Sequence, residues 1–204
     1  MQSLAGDLAW STEPRGLVVF AHGSGSSRLS PRNQFVAQVL HEQRLATLLF
    51  DLLTDAEAAD RRNVFDIGLL SERVEEALDW VDSRPAWAGL PVGLFGASTG
   101  AAAALQAAAS RPGRVASVVS RGGRPDLAGD YLARVEAPTL LIVGGLDDEV
   151  LALNRAALSQ LRCNKRLEVV PGATHLFEEP GTLDAAAHLA AAWFSTHLAQ
   201  RRAA

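Results

Sequence analysis

A serine stands between two glycines in Gly96-Ala97-Ser98-Thr99-Gly100, at the seam between an apolar run and a string of alanines. In this G-x-S-x-G spacing the small residues let two backbone segments cross closely. The serine can then be held in a sparsely populated conformation with its Oγ exposed. Such a hydroxyl is a weak nucleophile until a base takes its proton, and a histidine oriented by a carboxylate can be that base. Asp147, in Gly144-Gly145-Leu146-Asp147-Asp148, and His175, in Pro171-Gly172-Ala173-Thr174-His175, supply the two groups. Each follows a short apolar run, in the chain order Ser, Asp, His. The chemistry would be attack on an acyl carbon. Plainer readings compete: a tight turn at Ser98, a helix cap at Asp147 or Asp148, a solvated loop histidine at His175. Asp147 is read as the catalytic carboxylate and Asp148 as the residue nearer the helix start.

Acyl attack puts negative charge on the carbonyl oxygen, which calls for N–H donors. The first long apolar run ends in Ala21-His22-Gly23-Ser24-Gly25-Ser26-Ser27. Its glycines let the chain turn and aim the Ser24 N–H at that charge, with the Thr99 N–H as second donor. His22 is read as a brace for the loop. A phosphate-cradling loop is the competing reading, weakened because no G-K-[ST] follows. Arg28, Arg121 and Arg124 also lie at the ends of apolar runs and are candidates to pair with an anionic group on the substrate. Solvation or contact with backbone carbonyls is their plainer fate. His22, His41, His175, His188 and His197 show no clustered ligand spacing, so neither a metal nor another cofactor is expected.

These groups must be held by a scaffold. The runs Gly16–Phe20, Ala46–Phe50, Pro91–Phe95, Val115–Val119, Thr139–Val143 and Leu167–Val170 are mostly apolar throughout, as in strands buried on both faces of a parallel sheet. Between them lie helical patterns. Leu70, Val74, Ala77, Leu78 and Val81 share one face, with Glu72, Arg73, Glu75, Glu76 and Asp79 outside it. Pro31 is expected to open a helix carrying Phe35, Val36, Val39 and Leu40. Thr182 is expected to cap a last helix that turns Leu183, Leu189, Trp193, Phe194 and Leu198 inward. Alternation of strand and helix implies an α/β sheet with helices on both sides, and ligands then bind beyond the carboxyl ends of the strands.

With 204 residues, 48% of them hydrophobic, the chain suits one domain. A net charge of −4 leaves no basic stripe, so no nucleic-acid partner is expected. Cys163 is the only cysteine, and the N-terminal residues have neither a basic start nor an apolar core of signal-peptide length. A cytoplasmic location is expected. From Pro85 to Ser110 no residue is charged, but Pro91 and the glycines Gly89, Gly93, Gly96 and Gly100 argue for strand, turn and buried helix rather than a membrane span. Trp80 and Trp193, in helical patterns, are assigned to the core. Trp10 and Trp87 are left open between core and interface, and self-association as a homo-oligomer stays open with them.

Together these motifs resemble the α/β-hydrolases, and more narrowly the small, lidless dienelactone-hydrolase-like branch. The resemblance runs from AHGSGSSR through LFGASTG and VSRGGRPDLAG to LLIVGGLDDEVLALNRAAL and VPGATHLFEEPG. It implies a mostly parallel central sheet with helices on both faces, Ser98 as nucleophile, Asp147 as acid and His175 as base. Dienelactone hydrolase itself uses cysteine, so its specificity does not carry over to Ser98. Some members of the branch are fused to a phosphoribosyltransferase domain. No length remains here for one, and a single domain over residues 1–204 is expected. Only about 18 residues separate the runs near Ser120 and Thr139, too few for a lid domain. The expected function is cleavage of small or water-soluble esters or thioesters. An acyltransferase or perhydrolase on the same triad, or a non-catalytic binding module of this fold, are the alternatives.

Overall fold

In the computed structural model, which describes residues 4–10 and 13–199, the apolar runs form a seven-stranded sheet in the order β1-β3-β2-β4-β5-β6-β7. The strands are β1 (Gly6–Ala9), β2 (Gly16–Ala21), β3 (Leu45–Phe50), β4 (Val92–Ala97), β5 (Val115–Arg121), β6 (Thr139–Gly144) and β7 (Lys165–Val170). All pair in parallel except β1, which runs antiparallel to β3 at the edge. Strands β2 to β6 are buried throughout, so their alternation divides one apolar run between two cores. Leu17, Val19, Leu48, Leu94, Val118 and Leu141 face one layer, while Val18, Phe20, Leu49, Phe95, Val119 and Ile142 face the other.

The first layer is built by α4 (Ile67–Asp82), the alanine-rich α5 (Thr99–Ser110) and Ala157 of α6 (Asp148–Gln160). The second is built by α1 (Pro31–Glu42) and α7 (Thr182–Ala199). Two one-turn helices, α2 (Asp55–Ala58) and α3 (Arg61–Val64), lead into α4. The α2 turn opens with a capping box, Thr54 and Glu57 each bonding the other's backbone N–H. Between β5 and β6 the chain makes a 3₁₀ segment, Pro125–Arg134, broken at Gly129, where φ is 54°. It packs against α5, and no lid is inserted there.

Some details differ from expectation. β1 was not anticipated: four residues, GDLA, carry no apolar run, and their place is fixed by backbone pairing to β3. On α1 the residues Asn33, Val36, Ala37, Val39 and Leu40 form the buried face, and Phe35 is 37% exposed. Thr182 is the first residue of α7 rather than its cap, and its hydroxyl donates to the Glu179 carbonyl at 2.8 Å. Trp80 and Trp193 are half-buried against the two cores, while Trp10 and Trp87 meet edge to face at 5.1 Å.

The crossing of β2 and α5 is a close backbone approach beside the site. A Cβ on Gly100 would lie 2.2 Å from the Ala21 carbonyl oxygen and 2.4 Å from that of His22. Both are backbone atoms that cannot rotate away. Gly100→Ala should therefore cost about 3 kcal/mol in urea unfolding. Gly89→Ala, where a Cβ meets nothing within 4 Å, should change stability by less than about 0.5 kcal/mol. Equal costs would refute the close crossing.

Candidate active site

Ser98 joins β4 to α5 with φ 50° and ψ −124°, a conformation that costs a non-glycine residue about 1–3 kcal/mol. Two hydrogen bonds hold it there. The Ser98 carbonyl accepts from the N–H of Ala101 at 3.1 Å and of Arg124 at 3.0 Å. The elbow is thus clamped by the helix it opens and by the loop after β5. The side chain takes no part in the clamp, and among the described residues its Oγ has no hydrogen-bond partner.

Asp147 occupies the N-cap position of α6 but makes no capping bond with its side chain. That side chain, 14% exposed, is instead bound to His175, with Nδ1 to Oδ2 at 2.7 Å. The loop after β7 delivers the histidine. It is tied to the end of β6 by the Leu146 N–H on the Ala173 carbonyl at 2.9 Å. Farther along, the backbone N–H and hydroxyl of Thr174 both donate to Glu179, at 3.0 and 2.6 Å. Those donors hold the Glu179 carboxyl below its usual range. Phe177, buried at a positive φ of 56°, anchors the far side of the loop.

Ser98 and His175 line one cavity of about 220 Å³, together with Gly23, Ser24, Arg32, Asn33 and Arg121. Among the described residues no hydrogen bond joins the Ser98 Oγ to the His175 ring, whose Nδ1 is taken by Asp147. Gly23 permits the approach of the β2 loop: a Cβ there would sit 2.8 Å from the Ser98 Cβ. The N–H groups of Ser24 and Thr99, on either side of that approach, have no acceptor within the described residues. A second cavity of about 270 Å³ lies against the same loop, lined by Ser24 and Thr99 and floored by Leu52, Leu53, Val64 and Leu70.

His22 braces the loop, as expected. Its Nε2 accepts the Leu52 N–H at 3.0 Å, so Nδ1 carries the proton and donates to the Gly23 carbonyl at 3.0 Å. Burial holds this imidazole below its usual pKa, and it stays neutral. Cys163 is half-buried, its thiol pushed up by burial.

The three candidate arginines separate. Arg28 is spent on two carboxylates: its backbone N–H and Nη1 reach Asp51 at 2.7 and 2.5 Å, and its Nε lies 3.3 Å from Asp7. Arg124 is held in a two-point pair with Asp126 at 2.9 and 2.8 Å. Ion pairs hold both of these side chains, Arg28 across the fold and Arg124 with a near neighbour, and Arg28 also lines the cavity beside the Ser24 loop. Arg121 alone of the three is buried and meets no carboxylate. Arg32 and Asn33, beside it on the cavity wall, were not foreseen; on a helix start they look like surface residues until the fold brings α1 over the end of β5.

The α/β-hydrolase domain family matches residues 14–196. The chain belongs to the α/β-hydrolase family. Within it, this α/β-hydrolase is dienelactone-hydrolase-like. A crystal structure of dienelactone hydrolase from Anabaena variabilis superposes with a TM-score of 0.93 at 56% identity, over 96% of this chain and 92% of that one. The Est1E structure from Butyrivibrio proteoclasticus has a TM-score of 0.82 at 15% identity, over 97% and 95%, a likeness of fold alone. Two Mycobacterium tuberculosis proteins, named provisionally as phosphoribosyl transferases, are 60% identical over 195 residues. The match spans 96% of this chain but 44% of theirs. Among the described residues of this α/β-hydrolase, no helix is long and apolar enough to cross a membrane. Nor do those residues include a group of three or more His, Cys, Asp or Glu placed to hold a metal ion.

Proposed function

We propose that this α/β-hydrolase is a serine hydrolase that cleaves small, water-soluble carboxylic esters or thioesters through an acyl-enzyme on Ser98. The observation that carries the reading is the 2.7 Å bond from Asp147 to His175, on a cavity wall shared with a strained Ser98. His175 Nε2 would take the Ser98 proton as Oγ attacks the carbonyl carbon, then pass it to the leaving alcohol or thiol. Asp147 fixes the tautomer that leaves Nε2 free and stabilises the imidazolium. The Ser24 and Thr99 N–H groups would receive the oxyanion, each worth about 3 kcal/mol in such sites. Water, activated by the same histidine, then releases the acid. No cofactor enters this sequence of steps.

The family position supports hydrolysis, and the short Gly122–Pro138 connection supports an open site. The transferase name of the mycobacterial proteins belongs to much longer chains, and no phosphoribosyl chemistry is assigned here. Pre-steady-state kinetics with para-nitrophenyl acetate and butyrate should give a burst close to one equivalent of nitrophenol per chain, followed by slower turnover. Strong activation at a triacylglycerol surface, with no activity on soluble esters, would contradict the reading.

A further inference from the structure

Asn154 is a polar side chain that the chemistry above leaves unused, and it lies fully buried on the inner face of α6. Its amide nitrogen donates twice, to the Val150 carbonyl at 2.8 Å and to the Gly123 carbonyl at 3.0 Å. Both partners are acceptors, so the amide can sit only with its NH2 group toward them. The Oδ1 is left buried with no hydrogen-bond partner among the described residues. Stranding a polar oxygen in this way lowers stability, and an apolar side chain of the same size would avoid that cost. The bond to Val150 stays within the helix. The bond to Gly123 leaves it.

Gly123 belongs to the short loop after β5, which meets both the elbow and the histidine loop. On one side of Gly123, the Arg124 N–H donates to the Ser98 carbonyl at 3.0 Å, one of the two bonds that hold the elbow. On the other, the Gly122 N–H donates to the Ile142 carbonyl at 2.8 Å, and a Cβ on Gly122 would come within 3.0 Å of the His175 carbonyl oxygen. The loop has no slack between these points. A Cβ on Gly123 would overlap the Ser120 Oγ and lie 2.5 Å from the Ala101 Cβ. The helix that carries Asn154 also carries Asp147, at its N-cap about two turns earlier. One buried amide therefore joins the Asp147 helix to the loop that clamps Ser98 and backs His175.

We propose that Asn154 is a positioning residue for Ser98: its bond to the Gly123 carbonyl sets the Arg124 N–H that holds the Ser98 carbonyl, and so fixes the elbow against the helix that bears Asp147. The amide touches no substrate. It acts through Gly123 and Arg124 on the Ser98 backbone. A nucleophile displaced by about 1 Å can lose about a hundredfold in rate, while binding of the ester is largely kept. The proposal rests on the hydrolase reading only for its effect on turnover; the link from Asn154 to the Arg124 N–H is a property of the fold.

Two variants separate the two bonds. Asn154→Leu keeps the bulk and removes both. Asn154→Ser should keep the Val150 bond, since a helical serine hydroxyl reaches the carbonyl four residues back, and lose the Gly123 bond. It also carries the comparison should the leucine variant fail to fold. Ala157→Gly, at a buried position of the same helix, lowers stability without touching Gly123 and is the control. With para-nitrophenyl butyrate both Asn154 variants should lose about tenfold to a hundredfold in kcat, with KM within about twofold. Phosphonylation of Ser98 by a fluorophosphonate should slow by a similar factor, and Ala157→Gly should leave both rates close to native. Hydrogen exchange at the Arg124 amide, relative to the core amides of β4, should speed up by about tenfold in the Asn154 variants and not in Ala157→Gly. Folded Asn154 variants with native kcat and native Arg124 exchange would overturn the proposal and leave the hydrolase standing. A loss of kcat without faster Arg124 exchange, or an equal loss in Ala157→Gly, would overturn it as well. Faster Arg124 exchange, with a native chain that cleaves no ester and takes no label, would keep the clamp and remove the hydrolase.

Discussion

Ser98→Ala should lower kcat for ester hydrolysis by about a million-fold while leaving the chain folded. The magnitude follows from removing the atom that bonds to the acyl group; what survives is the background from oriented N–H donors and substrate binding. Preservation of the fold follows from how the elbow is held. The bonds that fix Ser98 run to its backbone carbonyl from Ala101 and Arg124, and its Oγ has no partner to lose. Alanine pays the same backbone strain at φ 50° as serine does. The change in unfolding free energy should therefore stay within about 0.5 kcal/mol. Parallel urea titrations and turnover assays separate the two effects. A large loss of stability would mean that the hydroxyl has a structural task.

Asp147→Asn should cost about 10⁴ in kcat at neutral pH. The reason is the tautomer. Asp147 accepts from His175 Nδ1 at 2.7 Å, which leaves Nε2 unprotonated and able to act as base. An asparagine amide can donate to Nδ1 instead, which puts the ring proton on Nε2, facing the serine. The helix should not suffer, because the Asp147 side chain makes no capping bond to α6. Asp148, next along the chain and in the first turn of α6, is the control. Asp148→Asn should leave turnover within about twofold and cost about 0.3–1 kcal/mol of stability through the helix dipole. Comparable losses in both variants would contradict the division of labour between these neighbours.

Much of this arrangement was legible in the chain because burial on both faces leaves a plain mark. Runs such as Gly16–Phe20 and Thr139–Val143 are apolar without alternation, and a polar group just past such a run stands at the rim where ligands bind. That rule, with the G-x-S-x-G spacing and the chain order Ser, Asp, His, singled out Ser98, Asp147 and His175 as candidates. What escaped depends on partners distant in sequence. β1 has no pattern of its own and exists by pairing with β3. Phe177 takes a positive φ that no residue type announces.

The arginines show the same limit from another side. Arg124 is followed two residues later by Asp126, a pair that could have been read locally. Arg28 finds Asp51 twenty-three positions away, through the fold. Nothing in Ser120-Arg121-Gly122 announces that, of the three candidates, this arginine would be the one left without a carboxylate. Its burial results from α1 and the Phe177 loop closing over the end of β5.

The most direct measurement is reaction of the native chain with a fluorophosphonate probe, followed by mass-spectrometric mapping of the adduct. A hydroxyl activated by His175 and Asp147 should be phosphonylated with one adduct per chain, on the peptide that carries Ser98. The adduct should be absent from Ser98→Ala and slow to form in Asp147→Asn. A folded native chain that takes no label, or takes it on another residue, would contradict the account.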